Sequence, residues 1–224
     1  MAWDRTFQYM KADMGIWLGV DNSHDDQNLT RMPDAVRAMI VNQARREIAI
    51  RRDLRYFEDS STIVTADDDF DYGLPSNFLR PYQMWYYDAN DDITYLEQKT
   101  RAEWRELYST DSSDNDLPAY YSMYGSNFIL APCPDDVYTI YYDYYKFPAD
   151  LSADEDYDAF LTEGYDAILW EACKRGCGYL MENTRLGLFD GWAKEALGYL
   201  SRSNSRAQYS GRRIVSDYSD GGNG

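Results

Sequence analysis

The chain has little of what most catalytic centres need. Its 224 residues include one histidine, His24, and three cysteines, Cys133, Cys173 and Cys177. A Ser/His/Asp or Cys/His centre could be built only around His24, which lies in a polar, acidic segment and is interpreted as a surface residue. Cys173 and Cys177 are four positions apart on a predicted helix, but a zinc site needs about four ligands and nothing nearby supplies the rest. We therefore expect no catalytic residues, no metal and no cofactor.

Long apolar runs and targeting signals are also missing. No apolar segment approaches the roughly 20 residues that a membrane span requires. The N-terminus lacks the basic segment and apolar run of a signal peptide, and three cysteines are too few for a secreted disulfide scaffold. These features predict a protein that is made in the cytoplasm and has no membrane partner.

Positive charge is scarce. The 22 Lys and Arg face 39 Asp and Glu, which gives a formal net charge of -17 and a pI near 4.3. Sequence-independent binding of nucleic acid depends on neutralising phosphates with Lys and Arg, so this balance argues against a protein that adheres to DNA. The acidic clusters at 67–69, 111–116 and 154–156 lack the spacing of an EF-hand calcium loop and are interpreted as solvated loops.

Aromatic residues, by contrast, are abundant, with 22 Tyr and 6 Trp. Tyr and Trp are enriched at protein interfaces because they give a large contact area at a small entropy cost. They also favour β-strands. Composition alone therefore leaves two interpretations open: a surface that other proteins contact, or a sheet rich in aromatic residues.

Hydrophobic periodicity predicts helices towards both ends of the chain. They are expected over residues 5–20, from Pro33 to about Asp53, and on two apolar stripes after Pro148 that begin at Leu161 and Leu186. The short connection near residues 182–184 makes the last two helices an antiparallel hairpin. Gly176 and Gly178 lie inside the first of these two helices, where each costs about 1 kcal/mol relative to Ala, which suggests a close helix crossing.

The middle of the chain has the period of β-strands. Alternation and turn residues predict a small, mostly antiparallel sheet with one short helix around residues 100–108. The strands are expected at residues 61–65, 82–87, 94–97, 119–124, 128–131 and 137–145. Residues 124–127 are typical of a hairpin turn, and residues 67–69 with Tyr72 and Gly73 are interpreted as the turn after the first strand.

These elements predict an α+β fold. The N-terminal helices (residues 1–54) and the C-terminal helix hairpin (residues 150–209) would form a helical bundle. The β subdomain, residues 55–149, would be inserted between them. Residues 210–224 would form an extended C-terminal arm, because their few apolar residues cannot build a core.

The end of the sequence carries a local positive charge. No acid occurs between residues 202 and 216, whereas Arg202, Arg206, Arg212 and Arg213 all lie in this stretch. Such a basic block on an acidic chain is typical of an interaction tail.

Several short motifs occur in a characteristic order between about residues 33 and 216. They are Arg45-Arg46-Glu47-Ile48, Tyr72-Gly73-Leu74-Pro75-Ser76-Asn77-Phe78-Leu79, Pro118-Ala119-Tyr120-Tyr121, Phe128-Ile129-Leu130-Ala131-Pro132-Cys133-Pro134, Tyr141-Tyr142 with Phe147-Pro148, and Ala207-Gln208-Tyr209-Ser210-Gly211. None is a catalytic signature. Their order and spacing resemble the head-to-tail adaptor (connector) proteins of tailed double-stranded-DNA bacteriophages.

The resemblance implies a structural protein of the virion neck without an active site. It would form a ring of about twelve copies under the portal protein and present a platform for tail or nozzle components. The helices would form the ring wall, the sheet would project towards the next neck or tail protein, and the arm would dock on the portal. Double-stranded DNA would pass through the channel without specific binding.

Three sets of interface residues follow from this resemblance. Portal docking is assigned to arm residues Arg206, Tyr209, Arg212, Arg213, Ile214, Val215 and Tyr218. Contacts between subunits are assigned to Arg37, Arg45, Arg46 and Arg52. The distal sheet interface is assigned to Trp85, Tyr86, Tyr120 and Tyr121.

Two other functions stay open at this point. A peptidoglycan hydrolase would need a Glu on an apolar helix face near an Asp, and Glu163 and Glu171 are the nearest candidates. A binder of single-stranded nucleic acid would use sheet aromatics as stacking platforms, although the net charge argues against it. The aromatics in question are Trp85, Tyr120, Tyr141 and Tyr144.

Overall fold

A computed structural model of the chain describes residues 5–20, 31–88, 90–108 and 114–209. These residues form six α-helices, one short 3₁₀ helix at Arg55–Phe57 and eight β-strands. The helices are α1 (Phe7–Leu18), α2 (Asp34–Arg51), α3 (Arg101–Leu107), α4 (Ala159–Glu163), α5 (Tyr165–Tyr179) and α6 (Leu186–Tyr209). The strands are β1 (Glu58–Val64), β2 (Asp71–Gly73), β3 (Phe78–Tyr87), β4 (Ile93–Tyr95), β5 (Glu97–Gln98), β6 (Tyr120–Tyr124), β7 (Asn127–Ala131) and β8 (Thr139–Lys146). The predicted α+β class is confirmed.

The chain divides into two compact units. The helical unit comprises described residues within Met1–Ile48, Leu54–Tyr56 and Asp150–Gly224, and the sheet unit those within Ala49–Asp53 and Phe57–Ala149. The helical unit is therefore assembled from segments far apart in sequence, whereas the sheet unit is nearly continuous.

The apolar stripes of the C-terminal helices face the core of the helical unit. Leu161, Ile168 and Ala172 are buried, as are Phe189 and Ala193 on α6. Since α5 and α6 pack together and only six residues separate them, they form the expected antiparallel hairpin.

The end of α1 is fixed by the residue that precedes α6. Gly19 closes α1 with a φ of +69°, in the left-handed region that glycine adopts without strain. The guanidinium of Arg185 donates hydrogen bonds to the carbonyl oxygens of Trp17 (2.8 Å) and Leu18 (3.2 Å). These bonds satisfy carbonyl groups that the helix end leaves without an intrahelical partner.

α1 crosses α5 at Gly176. A Cβ atom there would lie 2.4 Å from Leu18 Cδ1 and 3.0 Å from Met14 Cε, whereas a Cβ atom at Gly178 would meet nothing within 4 Å. One of the two glycines in α5 therefore permits the close crossing, and the other lies on the exposed side of the helix.

Replacing Gly176 by leucine is expected to lower the free energy of unfolding by about 1–3 kcal/mol, because the added carbons must displace buried Leu18 and Met14. Gly178→Ala is expected to raise it by about 0.5–1 kcal/mol through helix propensity alone. Urea denaturation followed by circular dichroism measures both. A Gly176→Leu variant as stable as the parent would contradict the close crossing.

The sheet unit contains two four-stranded sheets, whereas the sequence predicted one. The strand orders are β1-β8-β3-β4 and β2-β7-β6-β5. All neighbours are antiparallel except β5 and β6, which are parallel. The predicted hairpin is present, with Tyr124 opposite Asn127.

One element was assigned incorrectly from the sequence. Tyr72 and Gly73, interpreted as a turn, belong to strand β2, which pairs with β7. The turn lies just before this strand, where Asp68 has a φ of +63° and the Asp69 N–H donates to the Ala66 carbonyl oxygen (3.2 Å). Aspartate tolerates this left-handed conformation better than most residues, so the acidic run completes the turn without Tyr72 and Gly73.

The core of the sheet unit lies between its two sheets. It collects the inward side chains of strands from both sheets together with one loop residue. Its buried members are Met84, Tyr86, Leu96, Tyr121, Phe128, Leu130, Ile140, Tyr142 and Tyr144. The composition left open whether the aromatic residues form an interaction surface or belong to the sheet. Several of them are core residues of the sheet unit.

Candidate interaction surfaces

The four sheet aromatics predicted as an interface do not form one surface. Successive side chains of a strand point to opposite faces of the sheet. Trp85 and Tyr86 therefore lie on opposite faces, and so do Tyr120 and Tyr121. Tyr86 and Tyr121 are 8% and 4% exposed and lie in the core between the sheets, which removes them from any exposed interface. Trp85 is half-buried on the outer side of its sheet. Tyr120, on the other sheet, packs against the Trp104 cluster.

An exposed aromatic surface does surround Trp85. We call it the outer aromatic face, and it consists of Trp85, Tyr87, Ile93, Tyr95 and Tyr141. Trp85 and Tyr141 stack with ring centroids 5.9 Å apart, and Tyr87 meets Tyr141 edge-on at 5.4 Å. Tyr95 and Ile93 lie opposite Trp85 and Tyr87 on the neighbouring strand. Strict alternation along β3 would have found Tyr87, since it is two residues beyond Trp85.

A polar row borders the outer aromatic face. The Ser60 hydroxyl and the Gln83 amide donate to the two carboxylate oxygens of Asp143, at 2.6 and 2.8 Å. The row and the aromatic side chains line a shallow groove of about 470 Å³, and none of the described side chains that line it is cationic. A surface of this composition fits a protein partner better than a nucleic acid backbone.

The predicted inter-subunit arginines also fall on two sides of their helix. Arg37 and Arg45, eight positions apart on one face of α2, are buried, at 7% and 1% exposed. Arg37 Nε donates to the Met32 carbonyl oxygen (3.2 Å), and Arg45 forms an ion pair with Asp158. Burial lowers the pKa of Arg45, which the carboxylate of Asp158 opposes. Their side chains are used inside the helical unit and are removed from the candidate inter-subunit set.

Arg46 and Arg52 remain as candidates for contact with another copy. Arg46 is half-exposed and pairs with the similarly exposed Asp150 at 2.9 Å, and an ion pair in that setting is weak. Arg52 is exposed. Both side chains can therefore reorient towards a neighbour at little cost.

Part of the predicted arm can be located. Arg206 is exposed in the last turn of α6, and Tyr209 is the last residue of that helix. The other residues assigned to portal docking, Arg212, Arg213, Ile214, Val215 and Tyr218, lie outside the described residues.

The helical unit also contains a groove that was not predicted from the sequence. We call it the tryptophan groove: it has a volume of about 510 Å³ and runs between α5 and α6 with α1 at one end. Trp17, Trp170 and Trp192 form its aromatic end, with ring centroids 4.8 to 5.7 Å apart. A second stripe on α6 was the available signal, since the lining residues from Trp192 to Ser203 recur at helical spacing.

The thiols are not reactive centres. Cys133, Cys173 and Cys177 are all buried, and burial raises the pKa of each. Asp68 and Asp69 raise the pKa of Cys133 further. All three stay protonated at neutral pH and therefore are poor nucleophiles and metal ligands. His24 lies outside the described residues.

The two candidate hydrolase acids are held by cations. Glu171 is 1% exposed and accepts from Lys174 Nζ at 2.7 Å, so it is closed to a polysaccharide. Glu163 is exposed but pairs with Arg55 at 2.8 Å and also accepts from the Tyr56 hydroxyl. Neither carboxylate is free to face a substrate, since both are engaged by neighbouring cations.

Across residues 5–20, 31–88, 90–108 and 114–209 no cluster of three or more His, Cys, Asp or Glu side chains could hold a metal ion. Within the same ranges no helix is long and apolar enough to cross a membrane. A model of the SU10 adaptor protein family matches residues 5–216, so the chain belongs to this family of phage structural proteins. The resemblance to phage adaptor proteins is confirmed at this level. No curated protein matches the chain.

Proposed function

We propose that the protein is the head-to-tail adaptor of its phage. About twelve copies would form a ring that joins the portal vertex of the DNA-filled head to the tail components. The observation that carries the proposal is the adaptor-family match over residues 5–216, which includes both units and the first residues of the arm.

The net charge suits a protein that lines a DNA channel. At -17 per copy, a ring of about twelve copies would carry on the order of 200 negative charges and repel the duplex that slides through it. Repulsion keeps the DNA from adhering to its exit path. The protein would therefore contact DNA without binding it specifically.

A closed ring needs two unlike faces on each subunit. We assign Arg46, exposed on the helical unit, and Arg52, exposed on the sheet unit, to contacts with a neighbouring copy. The acidic partners on the neighbouring copy would include Glu155, which is exposed as well. Pairing across copies would then order charges that the isolated subunit leaves in solvent.

The outer aromatic face is assigned to the tail or nozzle component. Tyr87, Ile93 and Tyr95 are each about half-exposed, at 50%, 49% and 61%, and they lie side by side on β3 and β4. A contiguous apolar surface of this kind marks a protein interaction site. The arm is assigned to the portal protein, which it would reach with Arg212, Arg213, Ile214, Val215 and Tyr218.

Native mass spectrometry of the chain, alone and mixed with the portal protein of the same phage, tests the proposal. We expect a defined complex that contains about twelve copies of this chain. A chain that stays monomeric and unbound in the mixture would refute the adaptor ring as stated.

Removal of residues 210–224 should abolish portal binding and leave the helical signal in circular dichroism unchanged, because α6 ends at Tyr209. The charge variant Arg212→Glu/Arg213→Glu should weaken binding at least about tenfold if the arm docks by charge. Asp217→Asn/Asp220→Asn, in the same segment, is the matched control and should bind at least as well as the parent. Full binding by the truncated chain would show that the arm does not dock on the portal.

A further inference from the structure

The tryptophan groove is lined by small residues along its base and by aromatic residues at its sides. Gly164, Ala167 and Ala196 lie along it, and Tyr199, 60% exposed, stands on the α6 side. Small residues between two helices leave room for an additional chain segment. The groove is long enough for one, since its α6 wall extends from Trp192 to Ser203, about 16 Å along the helix.

The rim of the groove is anionic. Asp166 and Glu195 are exposed lining residues, and neither makes an ion pair among the described residues. Glu163 adds a third carboxylate, already paired with Arg55. Among the residues that the structure describes, no Lys or Arg lines the groove. Its chemistry therefore fits a segment that combines cationic with aliphatic or aromatic side chains.

We propose that this segment is the arm of the same copy, residues 210–224. Its first part, Arg212-Arg213-Ile214-Val215, has two positive charges followed by two β-branched aliphatic residues. The arm also follows directly from the helix that forms one wall, because α6 ends at Tyr209. Charge and location both identify this segment as the occupant.

The arm has the reach that such docking requires. Ser203 lies about 9 Å and Trp192 about 26 Å back from Tyr209 along α6. An extended chain advances about 3.3 Å per residue, so the residues from Arg212 to Gly224, after a reversal at Ser210 and Gly211, could cover up to about 43 Å, which is more than the distance back to Trp192. Ser and Gly are residues that tight turns favour.

The composition of the arm matches the chemistry of the groove. Arg212 and Arg213 would supply positive charge for the exposed rim carboxylates Asp166 and Glu195. Ile214, Val215 and Tyr218 would supply apolar and aromatic contacts for the small and aromatic lining residues.

The inference deepens the proposed function and in this step rests on it. An arm held in its own groove is sheltered before assembly, and the portal must compete for the same apolar and cationic residues. A copy would then bind the portal only if the arm binds the portal site more tightly than it binds the groove. This competition favours assembly on the portal over assembly in solution.

Limited trypsin digestion of the full chain tests the docking. Trypsin cuts after Arg212 and Arg213, and mass spectrometry separates these cuts from all others. When opening and closing are fast, the cleavage rate follows the population of the released arm. We expect Glu195→Arg to cleave about tenfold faster than the parent, and Glu195→Arg with Arg213→Glu, cut after Arg212, to regain most of the protection.

Glu106→Arg is the matched control, since it makes the same charge change at an exposed site on α3, outside the groove lining. It should cleave at the parental rate. Equal rates for the parent and Glu195→Arg would overturn the inference, and so would protection that rises with protein concentration, since that result would place the arm in another copy. Portal binding by native mass spectrometry is measured independently, so a chain that binds the portal but shows no groove-dependent protection refutes this inference alone.

Discussion

Phe128→Ala is expected to lower the free energy of unfolding of the sheet unit by about 3–5 kcal/mol. The Phe128 side chain is 1% exposed and lies between the two sheets, with its ring 5.3 Å from the Tyr142 ring in an edge-on contact. Its removal leaves a cavity whose walls belong to different sheets, so neither can close it without shifting the other. The lost edge-on contact adds to the cost.

Differential scanning calorimetry is the suitable measurement, because the two units can unfold in separate transitions. Only the transition of the sheet unit should move. Tyr95→Ala removes a ring of similar size that is 61% exposed on the outer aromatic face, and it should change stability by less than about 1 kcal/mol. Equal losses for Phe128→Ala and Tyr95→Ala would contradict a shared core between the sheets.

The elements with a strong local signal were predictable from the sequence. α2 begins immediately after Pro33, whose ring suits the start of a helix. The α5–α6 hairpin was predicted from two apolar stripes; the first, which begins at Leu161, is divided in the structure between α4 and α5, and the second begins at Leu186, the first residue of α6. Each of these predictions uses residues that are close in sequence.

Elements defined by distant partners were less accessible. β2 is only three residues long and exists through its pairing with β7, where Tyr72 lies opposite Phe128. β5 is two residues long and pairs in parallel with β6. Since neither has an alternation of its own, the sequence could not show that the sheet unit has two sheets.

The candidate surfaces show the same division. Alternation along β3 was sufficient to predict that Trp85 and Tyr86 lie on opposite faces of the sheet, which the amino-acid composition alone does not show. The tryptophan groove was predictable only in part: its α6 lining residues recur at helical spacing, but it also brings Trp17 to within 6 Å of both Trp170 and Trp192 from positions more than 150 residues apart. A single sequence carries no signal for such a contact.

The second large effect is expected at Asp158. Asp158→Ala should lower the free energy of unfolding of the helical unit by about 3 kcal/mol, because it leaves the guanidinium of Arg45 buried without its main counter-charge. The loss is at the lower end for a broken buried pair, since the Asp158 side chain is 40% exposed. Asp150 and Asp156 also offset part of it, because their charges favour the protonated Arg45.

Two variants separate the causes of this loss. Asp158 also caps α4, where its Oδ1 accepts from the Leu161 N–H at 2.6 Å. Asp158→Asn keeps a good capping residue and removes only the charge, so it should recover about 1 kcal/mol relative to Asp158→Ala. Asp150→Ala breaks the half-exposed pair with Arg46 and should cost less than about 1 kcal/mol. Urea denaturation measures the free energy of unfolding of both variants. An equal decrease for Asp150→Ala and Asp158→Ala would show that the ion pair with Asp158 does not stabilise buried Arg45 and that packing does so instead.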